Sequence, residues 1–568
     1  MIRPSRRPDQ PECKTTRVWI FSALLLAAMA LPGGCGVPGP TGDANSFTLD
    51  FKGANLSGER GVLVFFVDGV NAEIFQEMLD AGELPAIKKY FADRGMYAPR
   101  ACANIPSVTL ANMTSLVTGL FPGHHQVTGI NWFDRNQLIW RDYNTIAQKN
   151  TLDGDYTAPS IYERLPGRSS YSLFLQPHRG ATKFFENRLS AGPAYFFKMY
   201  DLVDRIALYR LGEMADLARR RGRWPALTMI YSLAPDFQAY QNGVLSDDYR
   251  EAIRHTDRQI GRVLGDLDRD GILKNLYIML LSDHSLMEVT NHMSITPFAT
   301  DTLGLHVAAG HLHENTDFAA RLAYYRKYPV VLYGSGDRYW AFCLRKPLRD
   351  EAGKLAGFAP WTIRPDANDL AHYPATGRDS SGATAVDLPA ELVAHEAVDA
   401  VAFSMGENRV RLRRRNGEVE FAQPGGPGGD VSYRLISGDD PLGWKSAVPT
   451  DALAGKPCSP RQWLNMTNAT NYPDLPAQIV AYFRGRRAGD LVAFASPSWD
   501  FNTVNRAGHG GLRPGDMHVP ILIAGPGIPK ATLPVARAVD IVPTILQLLG
   551  QPVPKGLDGQ SLVEMRQP

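Results

Sequence analysis

The sequence predicts an α/β fold: a mostly parallel sheet covered by helices on both faces, with an inserted cap rich in strands. Three observations carry that expectation. Continuous apolar runs such as "GVLVFFVDGV" and "LYIMLLS" suit strands buried on both faces. Helical patterns separate many of these runs, notably from Ser246 to Asp268. Between about residues 291 and 487 the rhythm changes to short runs among Gly- and Pro-rich turns such as "PGGPGGD", after which the first pattern resumes.

A chain of 568 residues is too long for one simple core, so two lobes or a core carrying a large insertion is the expected organisation. Residues 1–34 read as an export signal, because a basic start leads into "VWIFSALLLAAMAL", an apolar run of about 14 residues that is short for a membrane span. The run ends in "LPGGC", which resembles a bacterial lipoprotein signal with Cys35 as the lipidated first residue, although Pro32 stands where an aliphatic residue is usual. An ordinary secretory signal and an uncleaved anchor are the alternatives. The expected location is the periplasm or cell envelope, with a lipid anchor in the membrane. Residues 35–58, rich in Gly, Pro, Ser and Asn, read as a flexible tether. Cys102, Cys343 and Cys458 remain for an oxidising compartment, with Cys343–Cys458 the expected pair.

The folded part is read as a first α/β segment at 59–290, the cap at 291–487 and a second α/β segment at 488–568. After the opening run comes "TLANMTSLVTGL", whose Leu110, Leu116 and Val117 suit a helix packed on a sheet. Further strands are expected at "SSYSLFL", "PALTMIYSL", "LYIMLLS", "DLVAFAS" and "VPILIAG", and a closing helix at "AVDIVPTILQLLG". The basic run "RLRRRNGE" reads as a solvated hairpin turning at Asn-Gly. With a formal charge of +2 and a pI near 8.2, nothing points to a nucleic-acid partner.

Acids and imidazoles fall in step with the strands. The runs finish at Asp68, at Asp236, at Asp283 and His284, and the last leads on to His509. In open α/β sheets, residues beyond the carboxyl ends of the strands meet at one edge. Carboxylates and imidazoles gathered there suit divalent metals, and two such ions can clamp both oxygens of an in-line displacement. In "CANIPSVTLANMTSLVTG", Ser107 or Thr109 stands at a helix start, where backbone N–H groups favour an anion. Local pattern leaves helix cap and nucleophile equally open. His124 and His125 read as structural, and Trp340 and Trp361 as packing or as a wall for a base or lipid.

Taken in order, "VDG", "PSVTLAN…SLVTGLFPGHH", "APD", "SDH", "GHGG…VPILIAGPG", "DIVPTILQLLG" and "LDGQSL" resemble the alkaline phosphatase superfamily, type I phosphodiesterase/nucleotide pyrophosphatase branch. The resemblance implies a three-layer α/β/α sandwich and a metal-dependent hydrolase of phosphate esters working through a phosphothreonine. It selects Thr109 as the nucleophile and gives Asn112 the task of holding a phosphate oxygen. One divalent ion, expected to be Zn²⁺, is implied at Asp68, Asp283, His284 and the Thr109 oxygen; a second is implied at Asp236, His509 and an intervening imidazole.

Tyr240 occupies the place of that imidazole. A phenol with its ordinary pKa near 10 is a poor zinc ligand at neutral pH. Three readings follow: a replacement imidazole from His292, His311 or His313; a weakly held second ion; or a surface lipoprotein that binds a ligand or partner without turnover. The sulfatase branch is disfavoured because "CANIPSVT" lacks its C/S-x-P-x-R context. A phosphoethanolamine transferase would carry several membrane helices, and no such run follows the signal.

Overall fold

The computed structural model describes residues 59–563, apart from 146–147, 149, 187–193, 196, 376–383 and 503, together with the short strand Ala54–Asn55. The chain divides into units 1–46 and 47–568, and all described residues belong to the second. The expected signal, Cys35 and most of the tether lie outside the described residues. Among those described, no helix is long and apolar enough to cross a membrane.

The central sheet has eight strands, ordered Ala531–Thr532, Met96–Cys102, His518–Ala524, Leu276–Leu281, Gly61–Val67, Leu227–Ser232, Ser170–Leu173 and Lys183–Phe185. Every pairing is parallel except those of His518–Ala524, which runs against both neighbours. The continuous apolar run at Gly61–Val67 has a simple cause. Val62, Val64 and Phe66 face one core, shared with Met113, Leu116 and Ile545, while Leu63, Phe65 and Val67 face another, shared with Ile74, Leu211 and Ile260. Side chains alternate across a strand, so burial on both sides demands apolar residues at every position. Helices Ala72–Asp80, Tyr200–Arg221 and Asp247–Arg269 cover one face; Thr109–Thr118, Leu475–Arg484 and Ile541–Leu548 cover the other. The result is the three-layer sandwich.

The strand-rich region forms an antiparallel sheet of seven strands, ordered Val330–Ser335, Tyr339–Leu344, Leu491–Ala495, Val398–Gly406, Arg409–Arg414, Gly417–Ala422 and Ser432–Gly438. One expectation is corrected here. The "DLVAFAS" run belongs to this second sheet and not to the central one. Every residue of Leu491–Ala495 is buried there, so its apolar composition does not tell one sheet from the other. The basic run is indeed a hairpin, with Arg414 paired to Gly417 across Arg415 and Asn416. One face of this sheet (Val331, Ala341, Val410, Val492) joins the same core cluster as the central sheet, so the two share packing.

The expected disulfide is absent. Cys102, Cys343 and Cys458 are buried free thiols. Cys343 lies next to one edge of the seven-stranded sheet, whereas Cys458 pairs through its backbone with Val431, beside the opposite edge strand.

Candidate metal centre

Three parallel strands end at one sheet edge and deliver their acids there. Asp68 follows Gly61–Val67, Asp283 and His284 follow Leu276–Leu281, and Asp236 opens the helix Ala234–Asn242 after Leu227–Ser232. His509 arrives differently. Strand Met287–His292 pairs with Ser498–Asp500 and Ala507–Gly508 in a small ribbon, which sets His509 beside the strand ends.

Ligand atoms of Asp68, Asp283 and His284 lie within 4.8 Å of one another, as do those of Asp236, His284 and His509. His284 therefore belongs to both groups, and its ring stacks on that of His509 at 3.5 Å. Each ring donates Nδ1–H to a carbonyl, His284 to Ser285 at 3.1 Å and His509 to Ser107 at 2.8 Å. That arrangement leaves both Nε2 lone pairs facing the cluster, as a metal-binding imidazole requires. Burial holds both rings neutral: His284 is pushed well below the usual range, and His509 down to about 3.

The carboxylates carry the opposite signature. Burial raises Asp68 to about 6 even though Tyr231 donates to it, and raises Asp236 and Asp283 well above the usual range, with the charge of Asp68 adding to each. Asp68 Oδ1, Asp236 Oδ1 and Asp283 Oδ2 are buried without any hydrogen-bond partner. Unpaired buried carboxylate oxygens facing one another are costly unless a cation joins them. A divalent ion fits this donor set of acids and neutral imidazoles. Gly69, in the left-handed region at φ 64°, allows the approach: a Cβ there would stand 2.8 Å from the Asp236 Cα.

Thr109 is the first residue of helix Thr109–Thr118, and no side chain caps that helix. Its Oγ1 lies 3.0 Å from His284 Nε2. The Ser107 hydroxyl points elsewhere, donating to the Gly511 carbonyl at 3.1 Å and accepting from Gly510 N–H at 3.2 Å. Of the two candidates, Thr109 has its hydroxyl at the cluster.

Asn112 is a correction. Its Oδ1 accepts from the Asn104 backbone and side chain at 2.7 and 2.8 Å, and its Nδ2 donates to the carbonyls of Pro106, Val108 and Asn104. It is wholly buried and its bonding capacity is used up, so it ties the loop before Thr109 and has nothing left for a phosphate oxygen.

Tyr240, one helical turn after Asp236, packs its ring edge-on against His509 at 5.8 Å. Burial, with Asp236 and Asp337 the leading charges, raises its phenol well above the ordinary range and keeps it neutral. Among the described residues, none of the three candidate replacement imidazoles belongs to either ligand group. His292 Nδ1 bonds Asp500 at 2.8 Å, His311 stacks on Trp140 at 3.4 Å, and His313 Nδ1 accepts from Asn315 N–H. His124 bonds Asp558 and His125 bonds Ser115. Trp361 is buried with Nε1–H on the Tyr325 carbonyl, which is packing.

Sequence reasoning missed an aromatic cluster beside Asp236. Phe237 stacks on Tyr200 at 4.1 Å and meets half-exposed Tyr195 edge-on at 5.5 Å. The signal was present in "AYFFKMYD" but blends into a helix start.

Against known proteins, a sequence model described as Type I phosphodiesterase / nucleotide pyrophosphatase matches residues 62–331. The match covers just under half of the chain. The chain is 22% identical over 256 residues to an uncharacterised pyrophosphatase/phosphodiesterase of Schizosaccharomyces pombe, covering 41% of this chain and 46% of that protein. It is 23% identical over 230 residues to ectonucleotide pyrophosphatase/phosphodiesterase family member 3 of Bos taurus, covering 40% and 25%. The chain thus spans less than half the length of these curated relatives. Among solved structures, murine ectonucleotide pyrophosphatase/phosphodiesterase 5, as an inactive variant in complex with AMP, aligns with TM-score 0.51 at 14% identity, covering 87% of this chain and 96% of that one. The likeness establishes the fold: a nucleotide pyrophosphatase-like, alkaline-phosphatase-like α/β core with a strand-rich addition.

Proposed function

We propose that this chain is a metal-dependent hydrolase of phosphate esters, of phosphodiesterase/nucleotide pyrophosphatase type, with Thr109 as its nucleophile. One observation carries the reading: the Thr109 hydroxyl faces His284 Nε2 at 3.0 Å, at an uncapped helix start, among buried carboxylates that lack partners. Asp68, Asp283, His284 and the Thr109 oxygen would hold one divalent ion, and Asp236 with His509 a second, zinc being suited to the imidazoles. Ions at those positions supply positive charge that eases hydroxyl ionisation and neutralises phosphate oxygens.

The rest falls to the chain. Thr109 Oγ1, once deprotonated, attacks phosphorus; the bond to the leaving alcohol breaks, and phosphate is carried on the threonine until water displaces it. The N–H groups at the start of helix Thr109–Thr118 are aimed where negative oxygens gather. Tyr195 and Phe237 offer an aromatic wall to an organic leaving group. Residues 59–290 and 488–568, less the Leu491–Ala495 strand that joins the second sheet, would form the catalytic unit around the insertion, with Cys35 as the lipid anchor of an exported protein.

The test is hydrolysis of bis(p-nitrophenyl) phosphate and p-nitrophenyl phosphate by wild type and Thr109→Ala, each supplied with divalent metal. Turnover lost in the variant supports the reading, and equal turnover in both refutes it. Tyr240 favours one alternative, a cleft that binds without turnover. Well-folded wild type inactive with every divalent metal would select it.

A further inference from the structure

The strands that deliver acids to the metal centre at one edge of the central sheet start among cations at the other. Arg60 directly precedes Gly61–Val67, and Lys274 stands just before Leu276–Leu281. Helix Tyr200–Arg221 closes on Arg219, Arg220 and Arg221, and Arg223 follows in the short strand that leads into Leu227–Ser232. Arg94 precedes Met96–Cys102, which runs the same way as these strands because His518–Ala524 opposes both it and Leu276–Leu281. A helix C-terminus favours cations through its dipole, but Arg94, Arg223 and Lys274 lie outside that helix.

The acids of these segments do not answer the cations. Arg94, Arg219, Arg220, Arg221, Arg223 and Lys274 are all exposed. Arg219 reaches Asp216 at 3.8 Å and Asp270 at 3.7 Å, and the second contact joins the helix end to the turn that leads to Lys274. Asp266 is paired with Arg269 and Asp93 with Lys530, which leaves Glu59 and Asp268 outside an ion pair among the described residues. Among those residues, no carboxylate oxygen lies within 4.0 Å of the charged groups of Arg94, Arg220, Arg221, Arg223 or Lys274. The chain also enters the fold here. Ala54–Asn55 pairs antiparallel with Arg223–Trp224, so the segment leading from Cys35 arrives beside the arginines. At full extension the stretch from Cys35 to Ala54 reaches about 65 Å.

We propose that this basic edge docks on an anionic phospholipid bilayer, to which the segment leading from Cys35 brings it, while the metal centre opens at the opposite edge. The reading of Cys35 as a lipid anchor supplies the setting. Anionic headgroups attract each Lys or Arg held within a Debye length of the surface. A tether raises the local concentration of the patch at that surface without any new contact. The anchor sets how far the body can stray, and the cations set which face meets the headgroups. The strands that separate the two edges then keep the cleft turned toward water.

The test is co-sedimentation of the full chain with vesicles of phosphatidylcholine, with and without an equal part of phosphatidylglycerol. Cys35→Ala is present throughout, so the result does not depend on whether that residue carries lipid. The neutral vesicles account for any binding through the apolar run near the N-terminus. Binding to the anionic vesicles is expected to exceed binding to the neutral ones, and the excess to vanish at about 1 M salt, where screening confines charges to about 3 Å. Arg220→Gln, Arg221→Gln and Arg223→Gln together should weaken partition onto the anionic vesicles by about 10-fold or more, with Tm and hydrolysis of p-nitrophenyl phosphate unchanged. Arg326→Gln, Lys327→Gln and Lys354→Gln remove the same charge from exposed positions of the inserted region and should change partition by less than about twofold. Equal binding to both kinds of vesicle, equal loss in the two triple variants, or retention on heparin without vesicle binding would each overturn the inference. Failure of Thr109-dependent hydrolysis in a chain that binds as expected would instead strike the proposed function alone.

Discussion

Thr109 Oγ1 and His284 Nε2 lie 3.0 Å apart although 175 residues separate them in the chain. The central sheet makes that contact. Asp283 and His284 end a strand paired in parallel with the one that ends at Asp68, and helix Thr109–Thr118 packs its Met113, Leu116 and Val117 on the same sheet.

The pH dependence of the metal-free protein follows from the buried groups. His509, lowered from 6.5 to about 3, and His284, lowered well below 6.5, contribute stability that is present above pH 6.5 and lost as pH falls toward their folded values. Asp68, raised from 3.8 to about 6, opposes this, because its contribution is lost as pH rises through 6. Asp236 and Asp283 are also raised well above 3.8, and their contribution is likewise lost as pH rises through their folded values. Tm measured with chelator should therefore fall above neutral pH, and added divalent metal should abolish the fall.

Asp236→Asn removes one charge from an uncompensated buried group. The chelated protein should gain about 1 kcal/mol, read from urea denaturation, while losing metal and turnover. A variant less stable than wild type without metal would show that Asp236 has a structural partner.

Asn112→Ala should act through the loop it ties. Losing buried bonds to Asn104, Pro106 and Val108 should cost about 1–3 kcal/mol by denaturation and lower kcat, with KM for a phosphate ester little changed. A large rise in KM in a stable variant would restore the phosphate-holding role.

Gly69→Ala places a Cβ in left-handed backbone against the Asp236 main chain. A stability loss of about 1–3 kcal/mol and weaker metal uptake are expected, measured by denaturation and metal titration.

Much of this was legible in sequence because burial on two faces leaves a continuous apolar trace, as at Gly61–Val67 and Leu276–Leu281. The same property hid the placement of Leu491–Ala495, since an apolar run does not say which sheet buries it. Nor did "VPILIAG" disclose that its strand runs against its neighbours. Asp68, Asp236, Asp283 and His284 stood at strand ends and could be read from there. The spacing of Asn112 from Thr109 placed both on one helix face but carried no trace of the bonds that consume its amide.

The most direct measurement is acid-quenched turnover of a phosphate ester followed by peptide mapping for phosphothreonine. Phosphate carried on Thr109 in metal-loaded wild type, and absent from Thr109→Ala and from chelated protein, is the predicted result. Steady turnover with no phosphate on Thr109 at any time point, or turnover undiminished in Thr109→Ala, would contradict the account.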